Sequence, residues 1–269
     1  LVDPAVLEKA ITEKTILITI MYANNEIGTI EPVAELGAIA RRHKVYFHTD
    51  AVQAIGSVPI DVKAQNIDLL SLSAHKFYGP KGTGALFIKK GVRIDNLIHG
   101  GGQERRRRAG TENIAGIVGL GKAIEMATVD IPGHSAKIRA MRDRLIKGVL
   151  ATIPHARLNG HPEQRLAGNF NVSFEFIEGE SMLLWLDDEG ICASTGSACT
   201  SGSLEPSHVL LATGLPVEIS LGSVRLTHSD ANTEKDVDVV LEVLPKIVTK
   251  LRDMSPLYVK SGKEGGCNV

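Results

Sequence analysis

The chain has 269 residues, of which 43% are hydrophobic and 23% are charged, which excludes a wholly disordered protein. Its 30 basic and 31 acidic residues give a formal net charge of -1, without the basic excess of a general nucleic-acid binder, so no nucleic-acid partner is expected. The longest aliphatic run, at 16–21, is far shorter than the ~18 apolar residues of a membrane helix, so no membrane partner is expected either.

The first half of the chain alternates helical and strand patterns. Helices are predicted over 5–13 and 32–43, and strands over 16–21, 45–49, 68–73 and 84–88. Strands separated by helices indicate βαβ units and a mostly parallel sheet that is buried on both faces. Residues 1-131 are therefore predicted to form an α/β domain.

The second half has a different pattern. Helices are predicted over 111–128, 135–153, 181–188 and 234–253, and strands over 169–176 and 223–228. The strand over 169–176 alternates, which predicts that one of its faces is half exposed. A break at 129–133 marks the domain boundary, so residues 132-260 are predicted to form a smaller α+β domain. The Gly- and Lys-rich stretch 261-269 is predicted to be a mobile tail.

Polar residues follow three of the predicted strands in the first half. In open α/β sheets, ligands bind outside the carboxyl ends of the strands, so these side chains are expected to converge on one edge. They are Asn24, Asn25 and Glu26, then Asp50 with Gln53, then Ser73 with His75 and Lys76. No carboxylate and histidine set has a familiar metal spacing, so no metal is expected.

Lys76 is the most informative single residue. A lysine at a strand end, followed by a glycine-rich turn, suits Schiff-base chemistry with a carbonyl cofactor. Pyridoxal phosphate needs such a lysine and an acidic partner for its pyridine nitrogen, for which Asp50 is the candidate. The stretch 79–84 lacks the order of a phosphate loop, which argues against a nucleotide hydrolase.

Cys199 lies among glycine, serine and other small residues, so its thiol is expected to be accessible and reactive. Segment 196–202 is expected to be exposed and poorly ordered, since small side chains make few apolar contacts. Cys192, between Ile191 and Ala193, is predicted to be buried in a strand. Three cysteines without a C-x-x-C spacing favour a reducing compartment, and a cytoplasmic location is expected.

Together these residues resemble the pyridoxal-phosphate-dependent cysteine desulfurases of the NifS/IscS type, which are related to the class V aminotransferases. The resemblance extends through the chain and is most specific in the segment around Cys199. The matching stretches are MYANNEIGTI, FHTDAVQ, SLSAHKFYGPKGTGAL, HGGGQERRRRAGTEN, STGSACTSGSLEPSHVL, SVRLTH and LRDMSPLY.

The resemblance implies a fold of the aspartate-aminotransferase type, fold type I, whose large cofactor-binding domain is incomplete at its N-terminus here. It also implies a role for each site residue. Lys76 would hold pyridoxal 5'-phosphate and shuttle protons, Asp50 would pair with the pyridine nitrogen, Gln53 with the phenolic oxygen, and Ser73 and His75 with the phosphate. Thr111 would reach the phosphate in the partner subunit of a homodimer, near the basic run 105–108. Asn25 would contact the cofactor as well, Asn25 and Arg225 would hold the substrate carboxylate, and Cys199 would take the sulfur.

The implied activity converts L-cysteine to L-alanine and passes sulfur, as a persulfide on Cys199, to an iron–sulfur scaffold or another acceptor protein. Three alternatives stay open. The first is another fold-type-I enzyme, either a selenocysteine lyase or an aminotransferase. The segment around Cys199 argues against an aminotransferase, which needs no thiol. The second is an inactive truncated fragment. The third is a non-catalytic chain that only binds an iron–sulfur scaffold.

Overall fold

The computed structural model describes residues 1–196 and 205–258, which fall into two units. Unit 1 comprises Leu1–Ala23 and Ile30–Pro132, and unit 2 comprises Asn24–Thr29 and Gly133–Val269. The short segment 24–29 therefore belongs to unit 2, although its chain neighbours on both sides belong to unit 1. In the described part of the chain, no helix is long and apolar enough to cross a membrane.

Unit 1 is built on a four-stranded sheet in the order β1-β2-β3-β4. Its strands are β1 (Leu17–Met21), β2 (Tyr46–Asp50), β3 (Leu69–Ser73) and β4 (Gly84–Ile88). Its helices are α1 (Pro4–Ala10), α2 (Val33–Arg42), the single distorted turn α3 (Gln103–Arg106), α4 (Ile114–Ala127) and a 3-10 helix (Ala74–Phe77). Strands β1, β2 and β3 run parallel, and β4 runs antiparallel to β3, so the sheet is mixed.

The core of unit 1 lies between α2 and the parallel strands. Leu36 of α2 and Phe47 of β2 are fully buried there, with Ile67 before β3. The prediction that the sheet is buried on both faces is wrong for β4, most of which is exposed. In the described part of the chain β4 is the last strand of the sheet, and an edge strand keeps one side open.

Unit 2 is built on an antiparallel sheet in the order β5-β6-β7. Its strands are β5 (Ala156–Leu158), β6 (Asn169–Phe174) and β7 (Ser223–Thr227). The helices are α5 (Ile131–Thr152), α6 (Gly179–Asp188), α7 (His208–Ala212), α8 (Val217–Ser220) and α9 (Glu234–Met254). Side chains of α5, α6 and α9 pack against β6 and β7 in one apolar core.

The prediction that β6 is half exposed is wrong, because all six of its residues are buried. One face carries Phe170, Val172 and Phe174, which lie in the apolar core. The other face carries Asn169, Asn171 and Ser173, which are buried because other parts of unit 2 supply hydrogen bonds to their side chains. The alternating polar residues of β6 are therefore buried in the fold and do not face solvent.

The predicted break at 129–133 is shorter in the structure. Helix α5 already begins at Ile131, so Pro132 and Gly133 are helical. Proline is tolerated in a first helical turn because its missing N–H would have no partner there. The other predicted helices and strands are present, with ends that differ by a few residues.

Candidate functional site

The first group of candidate residues lies at the carboxyl ends of β2 and β3 in unit 1. The parallel register places Asp50, the last residue of β2, beside Ser71 of β3. The next backbone amide, Ala51 N, donates to Ser71 O at 3.0 Å, so the two strand ends remain paired there. Strand β3 then ends at Ser73 and continues directly into the 3-10 helix that carries Lys76.

The 3-10 helix presents His75 and Lys76 outward. With about three residues per turn, Ala74 and Phe77 lie on the same side, and both are buried. His75 and Lys76, between them, are exposed. The Ser73 hydroxyl lies 2.8 Å from His75 Nδ1, which joins these two predicted phosphate-binding groups in one hydrogen bond.

Close packing determines where the 3-10 helix ends. Tyr78 adopts a left-handed conformation at φ 65°, and Gly79 N then donates to Ala74 O at 2.9 Å. A Cβ at Gly79 would lie 2.9 Å from Ala74 Cβ and 3.1 Å from Ala123 Cβ of α4, so a larger residue would collide with both. Glycine therefore allows α4 to pack against the helix that carries Lys76.

Asp50 and Gln53 flank the turn after β2, and both are half-buried. Asp50 Oδ1 accepts a hydrogen bond from Val52 N at 2.9 Å, which orients the carboxylate at the strand end. His48 lies two residues earlier and hence on the same face of the sheet as Asp50. Burial lowers the pKa of His48 below its usual value, although the charge of Asp50 acts in the opposite direction.

His48 joins three strands through its ring. Its Nδ1 lies 2.7 Å from Thr19 Oγ1 on β1, and its Nε2 lies 2.9 Å from Ser71 Oγ on β3. This row of hydrogen bonds crosses the sheet on the same face as Asp50. The sequence showed a histidine near Asp50 but did not reveal this cross-strand role.

This donor set fits pyridoxal phosphate. An aspartate is available for a protonated ring nitrogen, a hydroxyl and an imidazole for a phosphate, and an exposed amine for the carbonyl carbon. Asp50, Ser73, His75 and Lys76 provide these groups at one edge of one sheet. Thr111 lies on an exposed stretch before α4, preceded by the exposed arginines 105–108.

The second group of candidate residues lies in unit 2. Arg225 of β7 donates from Nη1 to the backbone oxygen of Asn25 at 2.6 Å, which unites the two residues predicted to hold a substrate carboxylate. Both side chains are partly exposed. Asn25 is therefore positioned by unit 2, although its place in the sequence lies within the predicted first domain.

Segment 24–29 is held in unit 2 by hydrogen bonds from side chains distant in the sequence. Asn169 Nδ2 and Asn171 Nδ2 donate to Glu26 O at 2.9 and 3.0 Å. Arg165 Nη2 donates to Ile27 O at 3.1 Å and to Asn169 Oδ1 at 2.9 Å. Burial lowers the pKa of Arg165 to about 10. These bonds bury a polar loop that its own sequence would place at the surface.

Gly28 completes this packing. It adopts a left-handed conformation at φ 73°, and a Cβ there would lie 2.5 Å from Asn169 Cγ. Only glycine combines this conformation with so close an approach.

Cys199 lies outside the described residues. The prediction that segment 196–202 is exposed also falls mostly on residues outside them. Of that segment the structure describes Gly196, which is buried. Residues 261–269, with Cys267, also lie outside the described residues.

The prediction for Cys192 is wrong, because this residue is exposed and lies outside any strand. Ile191 and Ala193, on either side of it, pack partly against the core of unit 2. Cys192 is thus exposed although both of its neighbours contact that core.

The α/β unit and the α+β unit, with a lysine after a central strand, define the fold class of the pyridoxal-phosphate enzymes of fold type I, as predicted. The sequence profile of the family described as Aminotransferase class-V matches residues 1–240. The chain therefore belongs to the class-V aminotransferase family.

Relatives and solved structures agree with this assignment. The chain is 65% identical over 260 residues to a cysteine desulfurase IscS of Methanosarcina thermophila, covering 97% of this chain and 64% of that relative. A solved NifS-like protein has a TM-score of 0.84 at 38% identity, and the match covers 93% of this chain and 66% of that protein's chain. The structure titled SspA in complex with cysteine has a TM-score of 0.71 at 35% identity, and the match covers 86% of this chain and 64% of that structure's chain. The chain thus spans about two thirds of the length of these proteins.

Proposed function

We propose that this protein is a pyridoxal-phosphate-dependent cysteine desulfurase, which converts L-cysteine to L-alanine and takes the sulfur onto Cys199. The observation that carries this proposal is the exposed Lys76 on the 3-10 helix, next to the paired ends of β2 and β3. The similarity to a relative named cysteine desulfurase and to a structure titled as a complex with cysteine supports the same reaction and substrate.

When bound, pyridoxal phosphate supplies an electron sink for the substrate carbon. Lys76 would hold the cofactor through its amine and would then move a proton at the substrate's α-carbon. Asp50 would accept a hydrogen bond from the ring nitrogen, and Gln53 would donate to the phenolic oxygen. Ser73 and His75 would bind the phosphate, which accords with their mutual hydrogen bond.

Asn25 and Arg225 bind the substrate carboxylate in this proposal, because a guanidinium offers paired donors that match a carboxylate. The Cys199 thiolate then attacks the sulfur of the substrate. A sulfur–sulfur bond forms, and the carbon–sulfur bond breaks with its electron pair moving to the substrate carbon. That carbon takes a proton, so the products are alanine and a persulfide on Cys199. Because the thiolate is the nucleophile, the reaction requires Cys199 to lose its proton first.

The assembly and the sulfur acceptor follow from the same proposal. Thr111 and the exposed run 105–108 form a two-fold subunit contact, so that Thr111 reaches the phosphate bound by the partner subunit. The sulfur passes to an iron–sulfur scaffold or another acceptor protein in the cytoplasm, where reducing conditions keep a thiol available. Light scattering of the cofactor-loaded protein at micromolar concentration should give a dimer, and a monomer would refute the contact.

Borohydride reduction of the cofactor-loaded protein, followed by peptide mapping, tests the central assignment. We expect the pyridoxyl label on Lys76 and the loss of the visible cofactor band in Lys76→Ala. Lys89 is a matched control, since its Nζ is already paired with Asp68 Oδ1 at 2.8 Å. A label on Lys81 or Lys89 in place of Lys76 would overturn the proposal.

A further inference from the structure

Glu26 is a buried acidic residue that the proposed reaction does not use. It is only 2% exposed, and both its backbone N–H and its carbonyl make hydrogen bonds. Its N–H donates to Asn24 Oδ1 at 2.8 Å, and its carbonyl accepts from Asn169 and Asn171. Glutamate is almost never fully buried without a partner, so the contacts of this carboxylate call for an explanation.

The carboxylate of Glu26 binds the start of helix α7. Ser207 donates from Oγ to Glu26 Oε2 at 2.5 Å, and the same Oγ accepts from Leu210 N as the N-cap of α7. The neighbouring Ile27 packs in a small apolar cluster with Leu210 and Leu215. One polar and one apolar contact therefore fasten α7 to segment 24–29.

The chain on the other side of Cys199 passes near the same carboxylate. A Cβ at Gly196 would lie 3.6 Å from Glu26 Oε2 and 3.8 Å from Ser207 Cβ. Gly196 and Ser207, which flank the stretch containing Cys199 in the sequence, are thus neighbours in space, with Glu26 beside both.

The flank before Cys199 is also bound to β7. Ser194 and Arg225 exchange two backbone hydrogen bonds, Ser194 N to Arg225 O at 3.1 Å and Arg225 N to Ser194 O at 2.6 Å. Ser223 Oγ donates to Thr195 O at 2.8 Å. Arg225 in turn donates from its side chain to Asn25 O, the residue before Glu26. One connected network therefore includes both flanks and the Asn25–Arg225 pair.

We propose that Glu26 is a positioning residue that helps to fix the two described flanks of the Cys199 stretch next to the Asn25–Arg225 pair, so that both ends of that stretch have a set position relative to the residues proposed to bind the substrate carboxylate. The proposal rests on the proposed function, since it takes Cys199 as the nucleophile. Small displacements of reacting groups are costly, because a misplacement of about 1 Å can slow a reaction about 100-fold. In this proposal Glu26 acts through Ser207 and the two flanks.

The test compares Glu26→Ala, Glu26→Gln and Cys199→Ser with the parent, each as the cofactor-loaded protein. Single-turnover persulfide formation is measured by mass spectrometry at saturating L-cysteine, and substrate affinity by spectral titration. Glu26→Ala should slow persulfide formation by about 10- to 100-fold while the visible band and the affinity for L-cysteine stay within about twofold. Glu26→Gln should recover most of the rate, because its amide oxygen can accept from Ser207.

Ser207→Ala tests the other end of the same hydrogen bond and serves if Glu26→Ala does not fold. It should also slow persulfide formation, and Ser207→Thr, which keeps the hydroxyl, should restore it. Thr213→Val is the matched control. It removes the bond from Thr213 Oγ1 to Leu210 O at 2.7 Å, which belongs to the same helix but does not involve Glu26.

Three outcomes would overturn the positioning role of Glu26. One is a Glu26→Ala rate within twofold of the parent, and another is an equal loss of substrate affinity. The third is an equal slowing by Thr213→Val, which would show that α7 stability alone matters. Cys199→Ser separates this failure from failure of the proposed function: if that variant still forms alanine at the parent rate, the nucleophile is wrong, whatever Glu26 does.

Discussion

In unit 1 the residues assigned to the cofactor follow directly from the strands that carry them, whereas in unit 2 Asn25 and Glu26 are held by side chains far away in the sequence. Asp50 ends β2, and Lys76 lies in the 3-10 helix that continues β3. Glu26, in contrast, is bound through Asn171 of β6 and Ser207 at the start of α7. Backbone topology therefore positions one group of residues, and long-range hydrogen bonds position the other.

The two sheets also carry rows of polar residues that differ in their chemistry. In unit 1 a row of polar side chains passes through the titratable ring of His48, which is hydrogen bonded on both sides. In unit 2 the row on β6 is made of amides and a hydroxyl, of which Asn159 Nδ2 binds Asn171 Oδ1 and Ser173 Oγ, both at 2.8 Å. The first row can respond to pH, and the second cannot.

The largest expected effect separates the functions of the two units. Cys199→Ser should lower alanine formation by at least about 1,000-fold, because loss of the nucleophile removes the bond-forming group. The visible cofactor band should remain, since Asp50 and Lys76 are unchanged. Spectra and alanine release measured on the same cofactor-loaded sample check both parts. Turnover near the parent rate would require another thiol, such as the exposed Cys192.

A smaller effect is expected on the stability of unit 2. Asn171 is fully buried, and Asn171→Ala removes its bonds to Glu26 O and to Asn159, which should lower the free energy of unfolding by about 1–3 kcal/mol. The single tryptophan, Trp185, lies on α6, so its fluorescence during urea unfolding reports on unit 2.

Ser71→Ala in unit 1 is the comparison variant for this experiment. It removes one half-buried hydroxyl from His48 and should change the urea midpoint reported by Trp185 much less than Asn171→Ala. Equal midpoints for Asn171→Ala and the parent would show that the amide row does not stabilise unit 2.

The smallest expected effect is a pH dependence carried by His48. Burial lowers its pKa in the folded protein, so the unfolded chain takes up the proton first as the pH falls below the usual histidine value. Stability is therefore complete above that value and decreases below it. Thermal unfolding followed by circular dichroism should show a loss in Tm between about pH 7.5 and about pH 5.5, and His48→Gln should reduce that loss.

His228 in unit 2 also has a pKa lowered by burial, but it is present in both proteins and its contribution cancels in the comparison. A pH dependence that is the same in the parent and in His48→Gln would show that the row across the sheet of unit 1 does not respond to pH.

Much of unit 1 could be predicted, because its strands and their ends depend on residues that are adjacent in the sequence. Runs such as Leu17–Met21 and Leu69–Ser73 have the apolar character of buried parallel strands, and parallel strands bring their carboxyl ends to one edge. Lys76 and Asp50 were therefore predictable as neighbours of strand ends. The roles of all the site residues stay predictions, and those of Asn25, Gln53, Ser73, His75, Thr111, Cys199 and Arg225 come from resemblance to a family.

Other features could not be predicted from local patterns. The alternation in β6 indicated a solvent face, yet Asn169 and Asn171 are buried because segment 24–29 accepts their hydrogen bonds. Cys192, between two apolar neighbours, suggested a buried strand, yet it is exposed and lies outside any strand.

The sequence by itself determined the alternation of helices and strands, the polar strand ends and the placement of Lys76 after β3, because each depends on residues adjacent in the chain. Only the tertiary structure decided that segment 24–29 belongs to unit 2 and that the carboxylate of Glu26 accepts a hydrogen bond from Ser207 with Gly196 nearby. The physical reason is that a buried carboxylate or amide is stable only where a partner is supplied, and here those partners lie far along the chain.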